Sequence, residues 1–160
     1  MSVNVLVIFY SRYGETEKLA LAAGVGAIQK RANIRLRRLP DLTDSETIGR
    51  DAQWSENLAR MTKDYIAPRE IDVEWAEVLI LAAPPDRSAE MEQYLGSAGD
   101  SLKEKLAAVL GKFAADAERA GLTIVPSGGE IENSEQALNY GRKVTEAGRS
   151  KKPANASSHT

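Results

Sequence analysis

A short polar segment between an apolar run and a helical pattern carries the residues best suited to bind a ligand. Its residues are Ser11, Arg12, Tyr13, Gly14, Glu15 and Thr16. Backbone N–H groups and the dipole at the start of a helix form an anion site. Gly14 permits a tight turn and the close approach of a phosphate, Ser11 and Thr16 offer hydroxyl donors, and Arg12 could add charge. The segment predicts phosphate binding; an ordinary strand–helix turn capped by Ser11 or Thr16 is the alternative.

The residue inventory excludes several kinds of catalysis. Cysteine is absent, and the only histidine, His159, is next to the last residue. Thiolate zinc sites, cysteine nucleophiles, histidine-rich metal sites and a Ser-His-Asp triad in the body of the chain are therefore excluded. Chemistry must use carboxylates, hydroxyls, cations, backbone amides or a borrowed cofactor. Glu130 and Glu132 could be catalytic carboxylates, but a solvated loop is the default interpretation.

Apolar runs and apolar residues at helical spacing predict the strands and helices that hold these residues. Strands are predicted at residues 3–10, 34–39, 77–83 and 122–125, the second of them at a sheet edge. Helices are predicted at residues 15–30, within 40–68, near 89–95, and from a cap at Ser134 through Val144 to a stop at Gly148. This rhythm indicates an α/β doubly wound parallel sheet with helices on both faces. Ligands of such sheets bind beyond the carboxyl ends of the strands, so residues 11–16, 83–88 and 126–130 form the candidate loops.

Residues 101–119 decide the number of strands. Ser101 and Glu104 have the spacing of a capping box. Leu102, Leu106 and Phe113 belong to an apolar pattern at helical spacing that continues to Arg119. The pattern favours a single helix over this segment, which would leave a sheet of four strands; a retained strand would make five.

Three other features have structural interpretations. Gly24-Val25-Gly26 lies within a predicted helix and lacks a third glycine, so close packing is favoured over dinucleotide binding. The basic residues 30–38 are interpreted as a solvated edge. The stripe formed by Trp54, Leu58, Met61 and Tyr65 is interpreted as core or an oligomer contact.

The segment from Val5 to Thr16, with Ser11-Arg12-Tyr13-Gly14-Glu15-Thr16 at its end, resembles the opening of flavodoxin-like proteins. Among them it is most similar to the WrbA-type NAD(P)H:quinone oxidoreductases. Weaker similarities cover residues 75–84, 121–126 and 134–144. The family's second flavin loop corresponds to Pro84-Pro85-Asp86-Arg87, where only Pro84 and Arg87 match. Its third flavin loop, rich in Ser, Thr and Gly, has no counterpart, and Leu110-Gly111-Lys112-Phe113-Ala114 resembles the entry to its fourth strand.

The resemblance implies a flavodoxin-like fold and a function. Ser11, Arg12, Tyr13, Gly14, Glu15 and Thr16 would surround the FMN phosphate, and Pro84, Pro85, Asp86 and Arg87 would approach the ring edge. NAD(P)H would be a transient co-substrate and a quinone the acceptor, with Tyr13 stacking on either. The alternative is a flavodoxin-like domain that has lost tight FMN binding and acts as a small-anion or protein-binding module.

Charge and composition suggest where the protein works. The formal net charge is −2, and residues 1–148 carry 18 Lys and Arg against 23 Asp and Glu, which argues against nucleic-acid binding. Residues 149–160 are basic and polar and are predicted to be a disordered tail after a domain at 1–148. The apolar run of residues 5–9 is too short for a membrane span or a signal peptide. We expect a cytoplasmic protein, and association into a homo-oligomer is open.

Overall fold

A computed structural model describes residues 2–151 of the chain. The strands are β1 Val3–Phe9, β2 Ala32–Arg38, β3 Val78–Ala82, β4 Leu106–Leu110 and β5 Thr123–Ile124. The α-helices are α1 Glu15–Gln29, α2 Ser45–Gly49, α3 Ala52–Asp64, α4 Glu70–Trp75, α5 Ala89–Ser97, α6 Ala114–Arg119 and α7 Ser134–Lys151, and Gly99–Leu102 forms a 3₁₀ turn.

The five strands form one parallel sheet in the order β2-β1-β3-β4-β5. β3 is buried along its whole length, as is β1 except for the half-buried Asn4, because both are apolar runs covered on two faces. The sheet confirms the predicted α/β doubly wound class with five strands. It also places β2 at an edge, as its alternating arginines predict.

Each face of the sheet has its own apolar core. Val5 and Val7 of β1 point to the face covered by α1 and α7, and Met61 of α3 joins this cluster. Leu6 and Ile8 point to the opposite face, which is covered by residues of α4, α5 and α6. Alternation along a strand that is apolar throughout thus produces the two-sided packing of the fold.

The predicted single helix over residues 101–119 is wrong. The structure has the 3₁₀ turn, then β4 from Leu106 to Leu110, then α6. Burial between β3 and β5 determines the outcome, because Leu106–Leu110 is a continuous apolar run as well as part of a helical pattern. Ser101 forms no capping box and donates its hydroxyl to the carbonyl of Ala98.

Smaller boundary predictions also change. Asn133 rather than Ser134 caps α7, since its side chain accepts from the N–H of Gln136. The helix continues past Gly148 to Lys151 and so takes in the first residues of the segment that was predicted to be a disordered tail. The rest of that segment, residues 152–160, lies outside the described residues, and the domain boundary at residue 148 stays a prediction.

The edge strand β2 is not simply solvated. Asp72 of α4 is fully buried and accepts hydrogen bonds from Arg35 and Arg37 of this strand, at 3.1 and 2.8 Å, and from Arg69. Burial alone would raise the pKa of Asp72, but the hydrogen bonds from Arg37 and Arg69 outweigh it and lower the pKa. The edge is therefore joined to α4 by a buried carboxylate that sequence spacing did not suggest.

Candidate functional site

The loop between β1 and α1 is a tight turn that exposes the start of the helix. Gly14 has φ +96°, a left-handed conformation that a side chain would strain. Its N–H donates to the Ser11 hydroxyl oxygen at 3.1 Å, which leaves the hydroxyl proton of Ser11 free to donate. Gly14 is also the N-cap residue of α1, so no side chain at this position caps the first amides of the helix.

The first amides of α1 are the strongest anion-binding feature of this loop. The N–H of Lys18 donates to the carbonyl of Gly14, which is the first helical hydrogen bond. The amides of Glu15, Thr16 and Glu17 precede it and have no acceptor within the helix. These N–H groups and the helix dipole can attract an anion.

Arg12 is directed towards the protein and not outward. Its Nε donates to the hydroxyl of Tyr10 at 2.8 Å, and its guanidinium stacks 4.0 Å from the ring centre of Trp54. The Tyr10 hydroxyl donates in turn to Asp41, and burial together with this bond raises the pKa of Tyr10. Arg12 therefore stabilises the loop through its contacts with Tyr10 and Trp54. Only the N–H groups that these contacts do not use could add charge to the anion site, as the sequence predicts.

Tyr13 is fixed at its hydroxyl and open at its ring. The hydroxyl donates to Asp51 at 2.6 Å, and this bond raises the pKa of Tyr13 and lowers that of Asp51. The guanidinium of Arg87 lies 5.7 Å from the ring centre. The structure thus brings together one residue from each of two predicted loops.

Glu17 was missed by the sequence analysis as a member of this region. It is 6% exposed and accepts hydrogen bonds from Arg60 at 2.6 and 2.9 Å and from the Tyr65 hydroxyl at 2.6 Å. The hydrogen bonds from Arg60 lower the pKa of Glu17 despite burial. No short spacing connects residues 17, 60 and 65, so only the folded chain reveals the cluster.

The loop from β3 to α5 contains the second group of predicted residues. The N–H of Arg87 donates to the carbonyl of Pro84 at 3.1 Å and closes a turn. Pro85 and Asp86 are exposed, and Arg87 and Pro84 are half-buried. Arg87 also lies 3.9 Å from Asp86, so its charge is only loosely paired.

A cavity of about 470 Å³ lies at the carboxyl edge of the sheet between these loops. Of the residues predicted to bind FMN, Glu15, Thr16 and Pro85 line it. Its apolar wall includes Ala83, Val109, Leu110 and Ile131. A Cβ on Gly111 would lie 2.7 Å from the carbonyl of Ala83, so glycine is needed for this close approach. The volume is that of a small-molecule pocket.

A second groove of about 740 Å³ adjoins the start of α1, and Tyr13, Gly14 and Glu15 line it. Ser11 is buried beneath the loop, and Arg12, Pro84, Asp86 and Arg87 line neither space. Carboxylates border the groove and the cavity. Glu132 lines both of them, and Glu130 lines the cavity. Glu130 also lies 3.4 Å from the ammonium group of Lys112. Residues 2–151 contain no cluster of acidic or histidine side chains that could hold a metal ion.

Known structures share this architecture over almost the whole chain. A flavodoxin from the domain Archaea aligns with a TM-score of 0.65 and 13% identity, over 92% of this chain and 99% of that one. The fold is flavodoxin-like. The two-electron reduced Megasphaera elsdenii flavodoxin aligns with a TM-score of 0.57 and 16% identity, over 89% of this chain and 98% of that one. A diflavin flavoprotein A3 from Nostoc aligns with a TM-score of 0.58 and 14% identity, over 93% of this chain and 95% of that one.

Two curated proteins are similar to a short part of this flavodoxin-like chain. An NAD(P)H dehydrogenase (quinone) from Brucella anthropi is 48% identical over 40 residues, which is 25% of this chain and 20% of that protein. The protein of the same name from Brucella suis is 46% identical over 44 residues, which is 28% of this chain and 22% of that protein. The chain thus matches about a fifth of their length. No family model matches the chain. Within residues 2–151, every helix is too short or too polar to cross a membrane.

Proposed function

We propose that the chain binds FMN at the carboxyl edge of its sheet and transfers electrons from NAD(P)H to a quinone-like acceptor. The observation that carries the proposal is the β1–α1 loop. A left-handed Gly14 opens the amides of α1 beside a cavity that has one apolar wall. The similarity to two NAD(P)H dehydrogenases (quinone) supports the choice of reaction.

The residues present fit the two parts of FMN. The amides of residues 15–17 and the hydroxyls of Ser11 and Thr16 would hold the phosphate, which carries negative charge and accepts hydrogen bonds. Ala83, Pro85 and Leu110 would cover the ring. FMN supplies the redox chemistry when bound. The chain orients the cofactor, excludes water from the cavity wall and leaves the ring of Tyr13 available for stacking on a substrate.

A titration tests the proposal. Purified protein should show visible flavin absorbance or should quench the fluorescence of added FMN at micromolar concentration. Without air, the loaded protein should then oxidise one equivalent of NADH or NADPH as its flavin is reduced, and continued oxidation should require a quinone that takes the two electrons from the flavin. Colourless protein that leaves FMN fluorescence unchanged contradicts the proposal.

One observation favours a second candidate, a domain that binds a small anion or a protein without catalysis. Carboxylates of Glu15, Glu130 and Glu132 line the cavity, and Arg12 is bonded away from it. Negative charge at the cavity disfavours FMN there, whereas the free amides at the start of α1 can still attract a small anion. If this candidate is correct, inorganic phosphate should raise the midpoint of thermal unfolding while FMN and riboflavin give no fluorescence change.

A further inference from the structure

Arg38 lies beneath the β1–α1 loop and contacts its main chain. It occupies the last paired position of β2, opposite Phe9, and is 7% exposed. Its Nη2 donates to the carbonyl of Ser11 at 2.9 Å and to Asp41 at 3.1 Å, and its Nη1 donates to the carbonyl of Leu39 at 3.2 Å. The guanidinium therefore connects the end of β2 to the loop after β1.

The contact to Ser11 determines the direction of the next amide. The peptide bond is planar and trans, and the described chain contains no cis peptide. A carbonyl of Ser11 that points to Arg38 forces the N–H of Arg12 to point the opposite way. Among residues 2–151, no protein group accepts a hydrogen bond from that N–H. It therefore joins the amides of α1 as a free donor on the outer side of the loop.

The hydrogen-bond pattern of Arg38 indicates that its role at the loop depends more on the geometry of its donors than on its positive charge. Asp41 accepts from Arg38 and balances it electrically, since the two side chains are 7% and 6% exposed. The Nε of Arg38 is buried and has no partner. A buried donor without an acceptor is unfavourable for stability, so the guanidinium occupies this place at a cost. The guanidinium uses two nitrogens for these three bonds, Nη2 for Ser11 and Asp41 and Nη1 for Leu39, whereas a lysine has a single nitrogen at the end of a flexible chain.

We propose that Arg38 is a positioning residue that orients the Ser11–Arg12 peptide towards the phosphate and so makes the site prefer FMN over riboflavin. This inference rests on the proposed function. Arg38 touches neither the cofactor nor the substrate in this proposal. It acts through the main chain of the loop, and its effect is confined to ligands that carry the phosphate.

Matched Arg→Lys substitutions on one strand test the proposal. Dissociation constants of FMN and riboflavin are measured for the wild type, Arg38→Lys and Arg35→Lys, the last being the control because Arg35 contacts Asp72 and not the loop. Arg38→Lys should weaken FMN binding about 10- to 100-fold, the size of a lost hydrogen bond to a charged group, and should leave riboflavin binding nearly unchanged. Arg35→Lys should leave both unchanged.

The outcomes separate this inference from the proposed function. A wild type that binds neither flavin overturns the proposed function and the inference with it. A wild type that prefers FMN, with the same preference in Arg38→Lys, overturns the inference alone, as does an equal loss of both ligands. If Arg38→Lys does not fold, hydrogen exchange of the wild type decides: FMN should slow exchange of the Arg12 amide more than riboflavin does, and equal exchange overturns the inference.

Discussion

The left-handed turn at Gly14 is the residue on which the proposed site most depends. Its φ of +96° is costly for any residue with a Cβ. Space is not the constraint, because the nearest atom to an added Cβ is Oδ1 of Asn57 at 3.6 Å. A substitution here should therefore act through backbone strain that moves the amides of α1.

Gly14→Ala should lower the free energy of unfolding by about 1–2 kcal/mol and weaken FMN binding at least several-fold, because the backbone must leave the left-handed region or remain strained. Urea denaturation and FMN titration measure the two effects. Gly96→Ala in α5 is the control: no atom lies within 4 Å of its added Cβ, and alanine should stabilise that helix. Unchanged FMN affinity in Gly14→Ala would mean that the phosphate lies elsewhere.

The sequence predicts the turn but not the network around it. The types and order of residues 11–16 are enough to expect a glycine turn before a helix. Arg12 stacks on Trp54, and Glu17 accepts hydrogen bonds from Arg60 and Tyr65, in each case across more than 40 residues of chain. Long-range side-chain pairs leave no periodic pattern in one sequence, so they could not be predicted.

At the scale of the elements, close contact between α1 and α7 fixes the helix layer beside the site. A Cβ on Gly26 would lie 2.0 Å from the carbonyl of Leu138, and one on Gly141 would lie 1.9 Å from the carbonyl of Ala23. Side chains cannot occupy such spaces unless the helices separate. Within Gly24-Val25-Gly26, the structure therefore supports the close-packing interpretation at Gly26.

Gly26→Ala should destabilise the protein by about 1–3 kcal/mol, because overpacking forces two helix backbones apart. Gly24→Ala, two residues earlier in the same helix, is the matched control. Its nearest neighbour would be Cδ1 of Ile34 at 3.4 Å, the end of a flexible side chain, so the change should be near neutral. Chemical denaturation of both variants provides the comparison, and equal losses would show that helix separation is not the cause.

The error at residues 101–119 has an element-scale cause. Leu106, Leu110 and Phe113 fit a helical stripe, and the segment has good helix formers around them. The chain instead leaves the helical region at Glu104 (φ +67°) and at Gly111 (φ +138°), on either side of β4. Strand pairing with β3 and β5 buries the whole run, which a helix at the surface would not do.

For the whole molecule, two buried carboxylates connect distant elements and make its stability depend on pH. Glu17 joins α1 to α3 through Arg60, and Asp72 joins α4 to β2. The pKa of each is lowered by its hydrogen bonds. Lowered values in the folded state mean that both carboxylates stabilise the fold above their ordinary pKa of about 4, and that this stabilisation is lost as the pH falls through the folded values.

Asp72→Asn should lower the free energy of unfolding by about 2–3 kcal/mol at pH 7, because a fully buried charged acceptor of hydrogen bonds is lost. Glu17→Gln should lower it by about 1 kcal/mol, because its partner Arg60 is partly exposed. Each difference from the wild type should stay constant from pH 7 to about 5 and shrink from there to pH 3, because near the ordinary pKa of about 4 the unfolded wild type takes up protons that the folded carboxylates resist. Urea denaturation across this pH range measures the differences. Glu46→Gln, in an exposed pair with Arg50, should change nothing at any pH. A penalty for Asp72→Asn that stays constant down to pH 3 would show that its charge does not hold the sheet edge to α4.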